Sequence, residues 1–302
     1  MKDILTIIWR LTVACLLAGI VMGATFVVTN RAKKDNAKKH EQKVMLSLLG
    51  YSSKKPAPST LEFHEVYRYI VTDKATQAMG YLLPVNDNGQ GSFTFVLIDL
   101  DGKFVSQTQV GISAEKVAEA EYRTPALQTA LGQNKTLRPA DQTIIVTRDQ
   151  KRVAYLLPGK FPGFKTFISV ILALDQNFTI LGLEIMEHEE DPGLGGEIVQ
   201  KYFKNQFKGK PIETIKKIDV VKAPLPGAYQ KALEAEEGGT LGVDEVTKIE
   251  AQYKDKDIYA LTGATISSRA LTTGVKGIVQ KIAYRLDILD RVLREQKIAV
   301  PF

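Results

Sequence analysis

The residues best suited to chemistry lie near the C-terminal end, in Thr262-Gly263-Ala264-Thr265-Ile266-Ser267-Ser268-Arg269. Two threonines flank a Gly-Ala pair and two serines follow. An apolar series then begins: Leu271, Val275, Ile278, Ile282, Leu286, Leu289 and Leu293 recur at spacings of three and four, which predicts an amphipathic helix over 266–295. The hydroxyl residues therefore stand at a helix start, where backbone N–H groups lack partners and the positive end of the helix dipole lies. Such a place is capped by a Ser or Thr side chain, or it receives an anion such as a phosphate. A second stretch, His188-Glu189-Glu190-Asp191-Pro192-Gly193-Leu194-Gly195-Gly196-Glu197, combines carboxylates with a glycine-rich turn. It reads either as a plain strand-to-helix connection or as a loop whose backbone can approach a flat ligand closely. The acids Glu184, Glu187, Glu189, Glu190 and Asp191 read as a solvated turn, and His188 as a structural residue or a proton donor.

The rest of the composition narrows the chemistry. Cys15 is the only cysteine, which leaves no disulfide framework, haem-attachment pair or iron–sulfur cluster for this chain. His40, His64 and His188 are far apart and do not form a metal-ligand spacing, so no metal site is expected. Any redox chemistry must come from a bound organic cofactor. The net charge of +6 equals the surplus of residues 31–55, which hold eight basic side chains and two acids. The remainder is nearly neutral and does not read as a nucleic-acid surface, whereas a basic stretch beside a membrane meets lipid head groups.

The elements that must position these residues begin with an anchor. Leu11 to Thr29 is 19 residues without a charge, extended by Ile4–Trp9 on the other side of Arg10. That length crosses a bilayer as a helix. Residues 1–30 are accordingly expected to be a transmembrane anchor, and 31–62 a basic juxtamembrane helix or linker. The basic stretch following the helix would place the C-terminal part in the cytoplasm by the positive-inside rule.

The middle of the chain repeats itself. Ile70-Val71-Thr72 and Gly80-Tyr81-Leu82-Leu83-Pro84 match Ile145-Val146-Thr147 and Ala154-Tyr155-Leu156-Leu157-Pro158. Tyr155 follows Tyr81, and Pro158 follows Pro84, by the same 74 positions. Strand-like runs Phe93–Leu100 and Phe167–Leu174 come next. Each ends in a polar turn and leads into a further strand from Phe104 or Phe178. A helical segment after Pro125 has its counterpart after Ile198. The expected fold is α+β: an N-terminal transmembrane helix, then two related antiparallel-sheet-plus-helix units over 63–139 and 140–302. Within the second unit, 222–256 carries Pro224, Pro226, Gly227, Gly238, Gly239 and many charges, and reads as a surface insertion.

Thr-Gly-Ala-Thr-Ile-Ser-Ser-Arg-Ala resembles the flavinylation motif of the FMN-binding subunits of two related bacterial membrane complexes. These are the Rnf-type ferredoxin:NAD oxidoreductase, in its G subunit, and the sodium-translocating NADH:quinone reductase, in its C subunit. The continuation after Thr265 looks more like the Rnf-type protein. The resemblance implies covalent FMN joined through a phosphoester to Thr265, with Thr262, Gly263, Ala264, Ser267 and Ser268 shaping the turn and bonding the phosphate. The stretch Glu190-Asp191-Pro192-Gly193-Leu194-Gly195 is similar to the family's Glu-Thr-Pro-Gly-Leu-Gly element, which lines the flavin pocket. It implies cofactor contacts for Glu190, Pro192, Gly193, Leu194 and Gly195. Asp191 stands where the family has threonine, and Tyr259 where it usually has an aspartate, with Asp257 two residues further back.

The resemblance makes the second unit an FMN-binding domain and Thr265 an attachment point, not a nucleophile of turnover; no catalytic residue is expected. It also implies an electron-carrying subunit of a translocase in the cytoplasmic (inner) membrane, with its main domain on the outer face. Other membrane subunits and a flavin transferase would be its partners. A membrane-tethered flavin sensor, or a repeat-domain binding protein without flavin, remains open. No dinucleotide fingerprint is present, so NADH is expected on another subunit.

Overall fold

The computed structural model describes residues 2–85, 92–235 and 242–302, with the backbone alone at Lys2 and Asp3. The chain forms two compact units, residues 1–47 and 48–302. The first is one helix, α1 (Lys2–Leu48), long and apolar enough to cross a membrane. Its side chains Leu11, Leu16, Ile20, Phe26 and Val28 are all exposed. The helix does not stop at the basic stretch but runs through it to Leu48, because Ala, Lys and Gln are good helix formers.

The second unit is built on an eight-stranded antiparallel sheet. Its strands are β1 (Leu61–Asp73), β2 (Thr76–Pro84), β3 (Phe93–Asp99), β4 (Phe104–Val110), β5 (Lys135–Arg148), β6 (Lys151–Pro162), β7 (Phe167–Asp175) and β8 (Ile180–Glu187). They lie in the order β4-β3-β2-β1-β5-β6-β7-β8. Each copy of the repeat is a four-strand meander, and the two run outward from the central β1–β5 pair. That pair extends from Leu61↔Arg148 to Asp73↔Lys135, with a register shift at Arg68/Tyr69. The copies are therefore one sheet and not separate bodies, and the expected boundary at 139/140 falls inside β5. Pairing their first strands removes two of the four edges that separate meanders would expose.

The period of two sorts the strands' side chains onto two cores. Tyr81 and Leu83 point to the face that also holds Tyr155, Leu157 and Leu172, and there they meet the long helix α8 (Thr265–Glu295). Leu271, Val275, Ile282, Leu286 and Leu289 of α8 are buried against it, as the spacing predicts. Leu82, Phe95 and Tyr69 point to the opposite face and pack on Val117 and Leu127, from the short α2 (Ala114–Val117) and α3 (Ala120–Leu131). Helix α3 starts five residues before Pro125, which sits inside it. Its counterpart in the second copy is broken into a 3₁₀ turn at Gly195–Val199 and α4 (Lys201–Lys204). A 3₁₀ turn at Asn205–Phe207, α5 (Ile212–Ile215) and the short strand β9 (Val220–Val221) follow.

The expected surface insertion is a packed element. It contains α6 (Gly227–Glu234) and α7 (Val243–Tyr253) and returns through β10 (Ile258–Tyr259), which pairs in parallel with β9. Tyr229, Ala232 and Leu233 are buried, and the Tyr229 and Tyr253 rings stack with centroids 4.0 Å apart. Lys210 is buried beneath and donates to the carbonyls of Tyr253, Lys254 and Lys256 at 2.9, 2.8 and 2.7 Å. The density of Pro, Gly and charge hid this packing from a reading by composition. Gly238 and Gly239 lie outside the described residues.

Candidate functional site

Thr265 is the first residue of α8 and is half-buried. Ala264 occupies the cap position, so no side chain caps this helix, contrary to the ordinary use of Ser or Thr at a helix start. Among the described residues the amides of Thr265, Ile266 and Ser267 have no protein acceptor. Three open N–H groups at the start of a 31-residue helix suit an anion.

The hydroxyls of the two serines are bonded within the fold. Ser268 is fully buried; its Oγ accepts the Leu261 N–H at 3.0 Å and donates to the Ala264 carbonyl at 3.0 Å. These bonds lock the loop 261–264 against the helix it precedes. Ser267 donates its hydroxyl to the Glu190 carboxylate, also buried. Both hydroxyls thus have protein partners, Ser267 in Glu190 and Ser268 in the loop before α8.

Glu190 is 5% exposed, so the acidic run is not wholly a solvated turn. Besides Ser267 its carboxylate accepts the Phe164 and Lys165 amides at 2.8 and 3.3 Å. It ties three segments together: the β6–β7 turn, its own loop after β8, and the first turn of α8. Its own N–H donates to His188 Nδ1 at 3.3 Å, giving His188 a role in shaping the loop. Gly195 lies against this junction; a Cβ there would stand 2.6 Å from Glu190 Oε2 and 2.7 Å from Ser267 Oγ. Gly263 adopts φ +74°, the left-handed region, with Leu194 Cδ2 2.9 Å from where its Cβ would be.

Two hollows open at Thr265. One, of about 350 Å³, is lined by Glu190, Asp191, Leu194, Gly195, Gly263, Ala264, Thr265 and Ser267, with Phe164 and Ile266. The other, a groove of about 950 Å³, runs along α8 past Arg269, Thr273, Gly277 and Lys281 and is walled by Phe161, Pro162 and Lys222. Thr262, Gly193 and Leu194 line a third hollow, of about 460 Å³, with Tyr202 and Tyr259. Pro192 is exposed and is not among the residues that line these three hollows.

The residues that the sequence reading missed supply apolar surface and charge. Phe164, Leu194 and Ile266 are 59%, 46% and 58% exposed, an unusual concentration of large apolar side chains around one polar residue. Lys222, Arg269 and Lys281 line the groove without an acidic partner among the described residues. Asp141 is the one acid of that lining. Burial alone would raise its pKa, but hydrogen bonds and charge from Arg68 and Arg285 hold it below the usual carboxylate value. Asp191 carries no free charge either: Lys165 Nζ lies 2.5 Å from its Oδ1, and that bond raises the Lys165 pKa. The exposed aromatic in Pro162-Gly163-Phe164-Lys165 was the signal available in the sequence.

Tyr259, in place of the aspartate, belongs to the insertion's support. Its N–H donates to Gln206 Oε1 at 2.8 Å and its ring meets Tyr229 and Tyr253 edge-on. Asp257 accepts the Asp219 N–H at 2.9 Å and thereby holds the neck of the insertion.

Residues 163–280 match the FMN-binding domain family, and every residue of the predicted site falls within them. The chain is similar to the G subunit of the proton-translocating ferredoxin:NAD(+) oxidoreductase complex of Clostridium ljungdahlii, 27% identical over 135 residues that cover 45% of this chain and 56% of that one. It is similar to the G subunits of the ion-translocating oxidoreductase complexes of Vibrio vulnificus and Salmonella typhi. The former is 27% identical over 57% of this chain and 68% of the relative; the latter is 36% identical over 24% and 36%. The match spans little more than half the length of the first of these relatives. Among solved structures, the C subunit of the Na(+)-translocating NADH-quinone reductase from Parabacteroides distasonis aligns with a TM-score of 0.34 at 18% identity, covering 64% of this chain and 74% of that one. NqrC of Shewanella oneidensis aligns at 0.36 and 20%, covering 60% and 75%.

Proposed function

We propose that this chain, a relative of the G subunits of ion-translocating oxidoreductases with an FMN-binding domain at 163–280, is a membrane-anchored electron carrier. It carries FMN joined through its phosphate to Thr265 Oγ. The observation that carries this reading is the uncapped start of α8. A threonine hydroxyl lies there beside three amides without acceptors, at the shared wall of two hollows.

The residues fit the group. The amides of Thr265, Ile266 and Ser267 would hold the phosphate, with the helix dipole behind them. Gly195 lets the Glu190 carboxylate and the Ser267 hydroxyl close on the turn, and Gly263 lets Leu194 approach, where a Cβ would collide with them. Phe164, Leu194 and Ile266 offer apolar surface to a ring system. The Glu190–Ser267 bond keeps Thr265 and the turn opposite it in one geometry. Bound FMN supplies transfer of electrons singly or in pairs, which joins one-electron to two-electron carriers. Thr265 is the tether and takes no part in turnover.

Helix α1 holds the chain in the cytoplasmic membrane as a single span, with residues 48–302 on the outer face. There a covalent tether prevents loss of the cofactor. Its partners are the polytopic subunits of an Rnf-type complex and a flavin transferase that loads Thr265. Co-purification with such subunits separates this reading from that of a lone membrane-tethered sensor, and their identity separates the Rnf-type complex from the quinone-reducing one.

The test is to make the protein alongside a flavin transferase and examine a denaturing gel for flavin fluorescence, with peptide mass of the segment around 265. Fluorescence that survives denaturation in the wild type and vanishes in Thr265→Val supports the assignment. A colourless wild-type band overturns it.

A further inference from the structure

Asp191 and Lys165 place opposite charges at one lip of the smaller hollow beside Thr265. Asp191 lines that hollow, and Lys165 Nζ reaches it from the β6–β7 turn at 2.5 Å. Both side chains are partly open to water, at 39% and 49%. A pair so exposed contributes little to stability, so the fold itself does not require it. Its position is nevertheless well defined. The Lys165 amide donates to Glu190 Oε1, and the same carboxylate receives the Ser267 hydroxyl from the first turn of α8. The turn that carries Lys165 and the turn that carries Thr265 are thus fastened to one buried group. A lone carboxylate at this lip would oppose negative charge entering the hollow and a lone ammonium would favour it; together they nearly cancel.

We propose that Lys165 is the residue that stabilises negative charge on a flavin reduced in this hollow, and that Asp191 holds it there in reserve. The proposal rests on the reading that FMN is bound at Thr265. Two electrons and one proton added to the oxidised ring leave it with one negative charge; in the cell the electrons come from a redox partner outside this chain. Lys165 has a flexible four-carbon stem and can turn from Asp191 toward that charge. Without Lys165, the Asp191 carboxylate stands uncompensated and reduction becomes harder. Without the Asp191 charge, Lys165 is free and reduction becomes easier. The charge beside a flavin is one of the few means a protein has of setting its potential.

The experiment is a spectroelectrochemical titration of the flavin-loaded full chain, its Lys165→Met and Asp191→Asn variants, and the double variant, each at low and high salt. The midpoint potential should fall in Lys165→Met, rise in Asp191→Asn and return toward the wild-type value in the double variant. Both single shifts should shrink at high salt. Shifts of the same sign, or no shift in Lys165→Met, overturn the proposal, since a merely structural pair would not move the potential in opposite directions. Peptide mass of the same samples records whether flavin is attached. If it is absent, the attachment reading fails separately, and the same titrations with saturating added FMN decide the role of Lys165.

Discussion

The Glu190 carboxylate accepts the hydroxyl hydrogen of Ser267 across 77 residues of sequence, and this buried bond fastens the first turn of α8 to the loop after β8. Two further amides, from Phe164 and Lys165, converge on the same group. Replacing Glu190 by Ala would strand all three donors. We expect a loss of about 1.5–3 kcal/mol, the range for hydrogen bonds to charged groups, with Ser267→Ala costing less because the two amides remain served. Denaturant unfolding of the detergent-solubilised chain measures both, and a double-mutant cycle isolates their coupling. Additivity of the two losses would remove Glu190–Ser267 as a unit.

Gly195→Ala should be destabilising and should reduce flavin attachment. The added methyl would lie 2.6 Å from Glu190 Oε2 and 2.7 Å from Ser267 Oγ, and both atoms are held by their own bond. Overpacking of this kind costs about 1–3 kcal/mol. Gly193→Ala meets no atom within 4 Å but sits at φ +73°, so it should cost backbone strain alone. Comparing fluorescence per mole of the two variants checks the distinction; equal attachment would contradict it.

Tyr259→Asp would restore the residue common in similar motifs, yet we expect it to harm this chain. The ring meets Tyr229 and Tyr253 edge-on at 6.4 and 6.3 Å, contacts worth about 0.5–1.5 kcal/mol per pair beyond burial. Tyr259→Phe keeps those contacts and should behave as wild type. Thermal unfolding that ranks Asp with Phe would show that the cluster is dispensable.

Lys210→Met should loosen the insertion without unfolding the sheet. It removes the charged donor shared by the Tyr253, Lys254 and Lys256 carbonyls, hydrogen bonds of a kind worth about 1.5–3 kcal/mol. Hydrogen exchange should quicken in 243–257 and stay unchanged in β5–β7. Uniform quickening would mean that Lys210 supports the whole unit.

His64 makes stability depend on acid. Burial lowers its pKa from the ordinary 6.5, against Glu62, which raises it. The folded chain thus binds this proton less tightly than the unfolded chain does. Its contribution is intact above 6.5 and turns unfavourable as the pH falls through the lowered folded value. The stability difference between wild type and His64→Gln should therefore shrink from about pH 8 to about pH 5. A constant difference would exclude the effect.

Sequence by itself determined what rests on neighbours along the chain. The uncharged run after Arg10 defined α1, the spacing of Leu271, Val275 and Ile282 defined α8, and the 74-residue offset defined two meanders, because helix and strand periods are local. The tertiary structure alone decided that β1 pairs with β5 into one sheet, and that the Ser267 and Ser268 hydroxyls turn inward. It also decided that Asp191 meets Lys165, and that Phe164 comes to stand beside Thr265. Each of these joins positions whose separation follows no local period. Such contacts form only when the sheet and α8 close on each other, and a buried polar group must then find its partner wherever the fold brings one.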